Sequence, residues 1–150
     1  MRVVIQRVSE ARVTIAGETS GEIGVGLLIL LGIETGDEMA DASWLAGKIV
    51  RQRIFEDDAG LMNQSVMDRE GGLLVVSQFT LHAGTRKGNR PSFIRAARPE
   101  QAIPLYEFFL AELARESAIQ PQTGRFGATM AVQLVNDGPV TILMDSRVRE

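Results

Sequence analysis

Apolar residues in this chain fall mostly in short β-branched blocks set off by glycine, and only twice do they recur at helical spacing. Residues 1–8 and 12–16 read as two strands joined through Ser9, Glu10 and Ala11, because β-branched side chains fit a pleated, half-buried surface. Gly17 and Gly21 mark turns. The run 23–33 is almost unbroken apolar, which predicts a strand buried on both faces. Asp37 is a good N-cap for a helix expected over 38–52, with Leu45 and Ile49 one turn apart and Trp44 beside them. The polar stretch 56–60 suits a hairpin or loop. Gly71 and Gly72 then introduce a second buried strand, Leu73-Leu74-Val75-Val76, whose end delivers Ser77 and Gln78.

Residues 80–97 contain Gly84, Gly88 and Pro91 and form a loop longer than a connector requires, a length that often accompanies function. A second helix starts at Pro99 or Pro104 and runs to about Ser117, with Ala102, Leu105, Tyr106, Phe109 and Leu113 on its apolar side. Strands over 129–135 and 140–144 are joined by Asn136-Asp137-Gly138-Pro139, whose residue types make a turn. The expected fold is α/β: one domain over 1–150, about seven mostly antiparallel strands in barrel- or sandwich-like sheets, and two helices.

Composition narrows the chemistry. The chain has no cysteine, so a thiol nucleophile, a disulfide and a cysteine zinc site are excluded. His82 is the only histidine, which excludes a histidine metal cluster. Neither a metal nor a cofactor is expected. The longest apolar run is too short to cross a bilayer and the first residues do not resemble a signal peptide, so a cytoplasmic protein with no membrane partner is expected. Net charge is −3, yet the stretch between Glu70 and Glu100 holds Arg86, Lys87, Arg90, Arg95 and Arg98 and no acid, leaving −8 for the rest. Such asymmetry fits a phosphate-contacting patch, or a solvated loop paired with the acidic remainder.

No serine lies in a Gly-x-Ser-x-Gly elbow, and Gly24-Val25-Gly26 precedes an apolar strand where a dinucleotide fingerprint needs a helix. His82 follows Ser77 and Thr80 closely, but closeness in sequence does not give a base the required geometry, and it reads as a loop histidine. Glu56, Asp57 and Asp58 read as a solvated acidic turn. Two segments stay open to two readings. Ser77-Gln78-Phe79-Thr80 either caps a strand or offers main-chain and side-chain donors to an oxyanion. Gly138-Pro139 is either a plain turn or a cis pair.

Taken together, Ser77-Gln78-Phe79-Thr80-Leu81, Thr85-Arg86-Lys87-Gly88-Asn89-Arg90-Pro91-Ser92-Phe93, Thr123-Gly124-Arg125-Phe126-Gly127-Ala128 and Asn136-Asp137-Gly138-Pro139-Val140-Thr141 closely resemble the D-aminoacyl-tRNA deacylase family. The resemblance runs over nearly the whole chain. It implies hydrolysis of the ester joining a D-amino acid, or glycine, to tRNA, glycyl-tRNA(Ala) included, by a homodimer with active sites at the interface. It implies that Ser77, Gln78, Phe79 and Thr80 form a catalytic wall of donors around the reacting carbonyl. Gly138 and Pro139, within the motif that begins at Asn136, would reach across as a cis pair from the other subunit, with Arg7 holding them. Arg86, Lys87, Arg90 and Arg95 would then contact tRNA, whose own 2'-hydroxyl would assist catalysis. His82 departs from the tyrosine common at its place. Two other functions compete: a non-catalytic nucleic-acid-binding module, and a hydrolase using Ser77 or Thr80 as nucleophile.

Overall fold

The structure is a computed structural model that describes residues 1–149. Its main sheet is organised by β1, Arg2–Ile15, which has neighbours along both edges. On one edge β3, Gly26–Gly32, pairs antiparallel with residues 2–8, and β2, Glu18–Ile23, pairs with residues 11–15. On the other edge β8, Ala131–Asp145, runs antiparallel along nearly all of β1. The two strands expected over 1–8 and 12–16 are therefore one. Ser9 and Glu10 are exposed, but the ladder to β8 continues past them with a register shift, so pairing overrides the break suggested by their polarity.

The expected turn at 136–139 is corrected in the same way. Gln6 pairs with Thr141 and Val8 with Asn136, so the four residues 137–140 face the single residue Arg7 and have no partner in the ladder. They bulge outward while the chain stays beside β1 on both sides of them.

Beyond β3 the sheet continues with β6, Gly72–Ser77, and β7, Gln122–Thr123, both in parallel pairings. Strands β3 and β6 are apolar and almost wholly buried, as parallel strands covered on both faces should be. Their first residues fix their spacing: a Cβ on Gly26 would fall 2.1 Å from the Gly72 carbonyl oxygen. Ser20 Oγ donates to the Thr123 carbonyl at 3.0 Å, bringing β2 against β7 and nearly closing the sheet into a barrel. A hairpin of β4, Phe55–Glu56, and β5, Met62–Gln64, forms where the polar turn predicted one.

One face of the sheet presents Val3, Ile5, Leu27, Ile29, Leu31, Leu73 and Val75 to the helices α1, Met39–Arg51, and α2, Pro99–Ser117. Leu45 and Ile49 of α1 and Phe109 and Leu113 of α2 are fully buried there, each contributing about 2 kcal/mol by leaving water. The other face closes on itself around Val8, Ala11, Val13, Leu28, Leu74 and Val76. Glu38, and not Asp37, caps α1, through a reciprocal box with Asp41. Asp37 is engaged instead by the buried α-ammonium of Met1 at 2.7 Å and the Glu34 N–H at 2.6 Å. Helix α2 starts at Pro99 and continues through Pro104. Among the described residues no helix is long and apolar enough to cross a membrane.

Candidate active site

The wall begins where β6 runs out of neighbours. On the β3 side Gln78 N–H still donates to the Leu31 carbonyl at 2.7 Å. On the other side β7 stops at Thr123, opposite Val75, and the last main-chain bond across that gap is Gly124 N–H to the Val75 carbonyl at 3.3 Å. Ser77 lies two residues further on, so its main-chain groups on that side have no strand to pair with. A single 3-10 turn, Phe79–His82, follows. It leaves Phe79 and Thr80 exposed and Ser77 and Gln78 half-buried. The Gln78 side-chain amide donates to the Thr80 hydroxyl, and the Phe79 ring meets Phe93 edge to face at 5.1 Å. The four residues expected to act together are thus contiguous on one open strand end, rich in donors and without a charged group.

The loop after the wall is pinned at two levels. Gly84 and Ser92 exchange main-chain hydrogen bonds at 2.7 and 2.9 Å, which isolates a tip over 85–91 carrying Arg86, Lys87 and Arg90. All three are exposed and, among the described residues, make no ion pair. At the root, Thr35 N–H donates to the Arg95 carbonyl and Ala97 N–H to the Ile33 carbonyl. Arg95 differs from the tip cations: its Nε donates to Glu34 Oε1 at 2.6 Å.

The bulge is held from beneath by Arg7, which is 4% exposed. Arg7 Nε donates to the Asp137 carbonyl at 3.1 Å and Nη1 to the Ile54 carbonyl at 2.7 Å, with the carboxylates of Asp137 and Glu56 nearby. Asn136 closes the base of the bulge: its side chain donates to Thr141 Oγ1 and accepts from Val140 N–H. The Gly138-Pro139 bond is cis, and Gly138 has φ +123°, a conformation that L side chains rarely adopt.

Wall and bulge do not meet within one chain. Ser77 is level with Leu31 and hence with Val3, whereas the bulge is opposite Arg7. Four residues of strand separate these levels, about 13 Å at roughly 3.3 Å per residue. The two segments also lie on opposite sides of β1.

His82 is not the loop histidine expected. It is fully buried, with Nδ1 3.8 Å from Glu34 Oε2, and neither ring nitrogen hydrogen-bonds Ser77 or Thr80. Burial pushes its pKa below the ordinary value, against the pull of the Glu34 carboxylate. Asp57 in the acidic turn is occupied by Ala59 N–H, Leu61 N–H and the Asn63 amide. No group of three or more His, Asp or Glu among the described residues is placed to hold a metal. Sequence reasoning missed Glu34 and the Ile54 carbonyl as partners, since neither carries a signal before the strands are aligned.

Known proteins give the arrangement its context. The model of the D-Tyr-tRNA(Tyr) deacylase family matches residues 4–145. A D-aminoacyl-tRNA deacylase of Akkermansia muciniphila is 63% identical over 150 residues, covering all of both chains. That of Flavobacterium johnsoniae is 57% identical over the same length, again covering both chains fully. Among solved structures, a c-Myc DNA Unwinding Element Binding Protein superposes with TM-score 0.91 at 42% identity, covering 97% of this chain and 98% of the other. A probable eukaryotic D-amino acid tRNA deacylase shares the fold at TM-score 0.80 and 15% identity, covering 95% and 97%. A family match over nearly every residue, with full-length relatives more than half identical, shows that this chain belongs to the D-Tyr-tRNA(Tyr) deacylase family.

Proposed function

We propose that this protein hydrolyses the ester bond of D-aminoacyl-tRNA, releasing the free D-amino acid and tRNA, and acts likewise on glycyl-tRNA(Ala). The observation that carries the reading is the open end of β6, which leaves main-chain groups at Ser77 without a strand partner beside the Gln78 and Thr80 side chains. Donors of this kind, fixed before the reaction, stabilise an ester oxygen as it becomes an oxyanion. The wall offers no base: the single histidine is buried against Glu34. In this reading, as the family resemblance implies, the 2'-hydroxyl of the terminal ribose assists the attacking water, and a wall without a base is consistent with that.

Selectivity comes from exclusion. The Gly138-Pro139 bulge of one subunit stands over the wall of a second, so that an L-side chain meets its main-chain carbonyls while a D-side chain points away and glycine has nothing to collide. The separation of bulge and wall within one chain supports a homodimer. So do the outer edge of β8, which among the described residues pairs with β1 alone, and Leu143 on that strand, 68% exposed. Arg86, Lys87 and Arg90 grip tRNA phosphates, which gives position and affinity without sequence choice. A reaction on tRNA supports the cytoplasm as its place of work.

The test is to incubate the protein with D-Tyr-tRNA and L-Tyr-tRNA. The D-ester should disappear and the L-ester survive; equal cleavage of both would remove the exclusion role of the bulge. Substrate ending in 2'-deoxyadenosine should bind yet scarcely turn over, and normal turnover would refute catalysis by the 2'-hydroxyl. A second reading, nucleic-acid binding without catalysis, draws on the exposed cations of residues 85–91 and on the printed name of the 42% identical relative. It predicts that the D-ester outlasts a no-protein control.

A further inference from the structure

Glu34 lies just past the end of β3, and the deacylation reading gives it no task. Its main chain is fixed by a bridge to Ala96 and by its N–H donating to Asp37 Oδ2 at 2.6 Å. Its carboxylate joins segments far apart in sequence. Oε1 accepts from Arg95 at the root of the basic loop. Oε2 lies 3.8 Å from His82 Nδ1, in the last residue of the turn that forms the wall, and 3.7 Å from Arg147 near the C-terminal end of the described chain. Burial pushes the Glu34 pKa up, but Arg95, His82 and Arg147 together hold it below the ordinary value, so the group is an anion at neutral pH.

The tip and the root of the loop divide the work. The tip over 85–91 carries three cations without an ion pair among the described residues and a main-chain pinch beneath it, suited to grasping phosphates. A phosphate grip fixes where the tRNA lies but delivers the ester to the wall only if the loop itself cannot shift. The main-chain contacts at Thr35 and Ala97 hold the root on the segment just past β3, the Glu34 carboxylate adds a side-chain hydrogen bond to Arg95 there, and the wall sits on the same strand through Gln78 N–H to the Leu31 carbonyl, with buried His82 packed 3.8 Å from Glu34. We infer that Glu34 is a positioning residue that moors the basic loop to the wall, so that tRNA gripped at the tip presents its aminoacyl end to residues 77–80 at a set distance. In this arrangement Arg95 is part of the mooring, and the tip cations alone meet phosphate. The inference rests on the deacylase reading above.

The test separates grip from delivery by measuring, with D-Tyr-tRNA, both Kd and the single-turnover rate at saturating protein. Glu34→Gln should lower that rate by about tenfold or more, because small misplacements of a bound substrate are costly, while Kd changes by less than about threefold. Arg95→Met cuts the same tie from its half-exposed side and should repeat the split even if Glu34→Gln folds poorly. Arg95→Lys, which keeps the charge, should recover part of the rate. Unchanged rates in Glu34→Gln and Arg95→Met would overturn the mooring, as would an Arg95→Met variant with raised Kd and full rate, since Arg95 would then be a phosphate contact. Arg86→Ala and Lys87→Ala report on the reading beneath it. If they leave Kd unchanged, the loop does not hold tRNA and the mooring falls with the phosphate grip, whereas only a wild-type protein that leaves D-Tyr-tRNA intact removes the deacylase reading; if they raise Kd while the mooring variants keep their rates, only the mooring falls.

Discussion

The wall and the bulge are both interruptions of a ladder, but they are held in opposite ways. The wall exists because β7 stops two residues before the level of Ser77, and its shape follows from main-chain pairing to β3 on its remaining side. The bulge exists because four residues of β8, 137–140, face the single residue Arg7 of β1, and two side chains, buried Arg7 and Asn136 at the base, tie it down. A segment shaped by main-chain pairing tolerates side-chain changes, whereas one tied by side chains does not. If both serve the same reaction, their sensitivities to substitution should differ sharply.

The largest effect is expected at Gly138. A Cβ there would lie 2.8 Å from Arg7 Nη2 and 2.9 Å from Val140 Cγ2, at a φ that disfavours any L side chain. Gly138→Ala should lower D-Tyr-tRNA deacylation by about 100-fold, the cost of roughly an ångström of misplacement. Normal kinetics for that variant would remove the bulge from the site. Arg7→Met comes next. It leaves the Ile54 and Asp137 carbonyls without their donor, so thermal or urea unfolding should show a loss of about 2–3 kcal/mol, with deacylation falling alongside.

On the wall the expected changes are smaller. Ser77→Ala and Thr80→Ala keep every main-chain donor and should each cost less than about tenfold in kcat/KM. A loss of a thousandfold in either would turn the comparison around and identify a hydroxyl nucleophile. The smallest effect concerns His82 beneath the wall. Because its folded pKa is lowered, mainly by burial, the unfolded chain takes up the proton more readily. Its contribution to stability is therefore complete above about pH 6.5 and declines as pH falls toward the folded pKa, by at most about 1.4 kcal/mol per pH unit. His82→Leu should flatten the dependence of unfolding free energy on pH in that window, and an unchanged slope would place the titration elsewhere.

The same contrast explains what could be read from the chain. The buried strands and both helices were legible because continuous apolar runs and helical spacing report burial directly, as in Leu73-Leu74-Val75-Val76 and in Leu105, Phe109 and Leu113. The wall was legible as a strand end, and its donors follow from that alone. The bulge was not. Asn136-Asp137-Gly138-Pro139 has the residues of a turn, and only the pairing of Gln6 with Thr141 and Val8 with Asn136 shows that the chain does not reverse there. Ser9 and Glu10 misled for the same reason, since a partner 125 or more residues away kept β1 extended. The expected loop histidine is a buried one because its surroundings come from distant residues such as Gly32 and Glu34, which no local pattern can reveal.

The pairing of β1 with β8 also bears on how the molecule is made. Arg2 is matched with Asp145, so one whole edge of the first strand finds its partner only when the last strand has left the ribosome. Until then β1 can pair with β2 and β3, but its other edge offers open amide and carbonyl groups to any neighbouring chain. Closing so long a loop is slow. Synthesis rate and crowding on the polysome, more than the stability of the finished fold, should therefore govern how much of this protein reaches its native form.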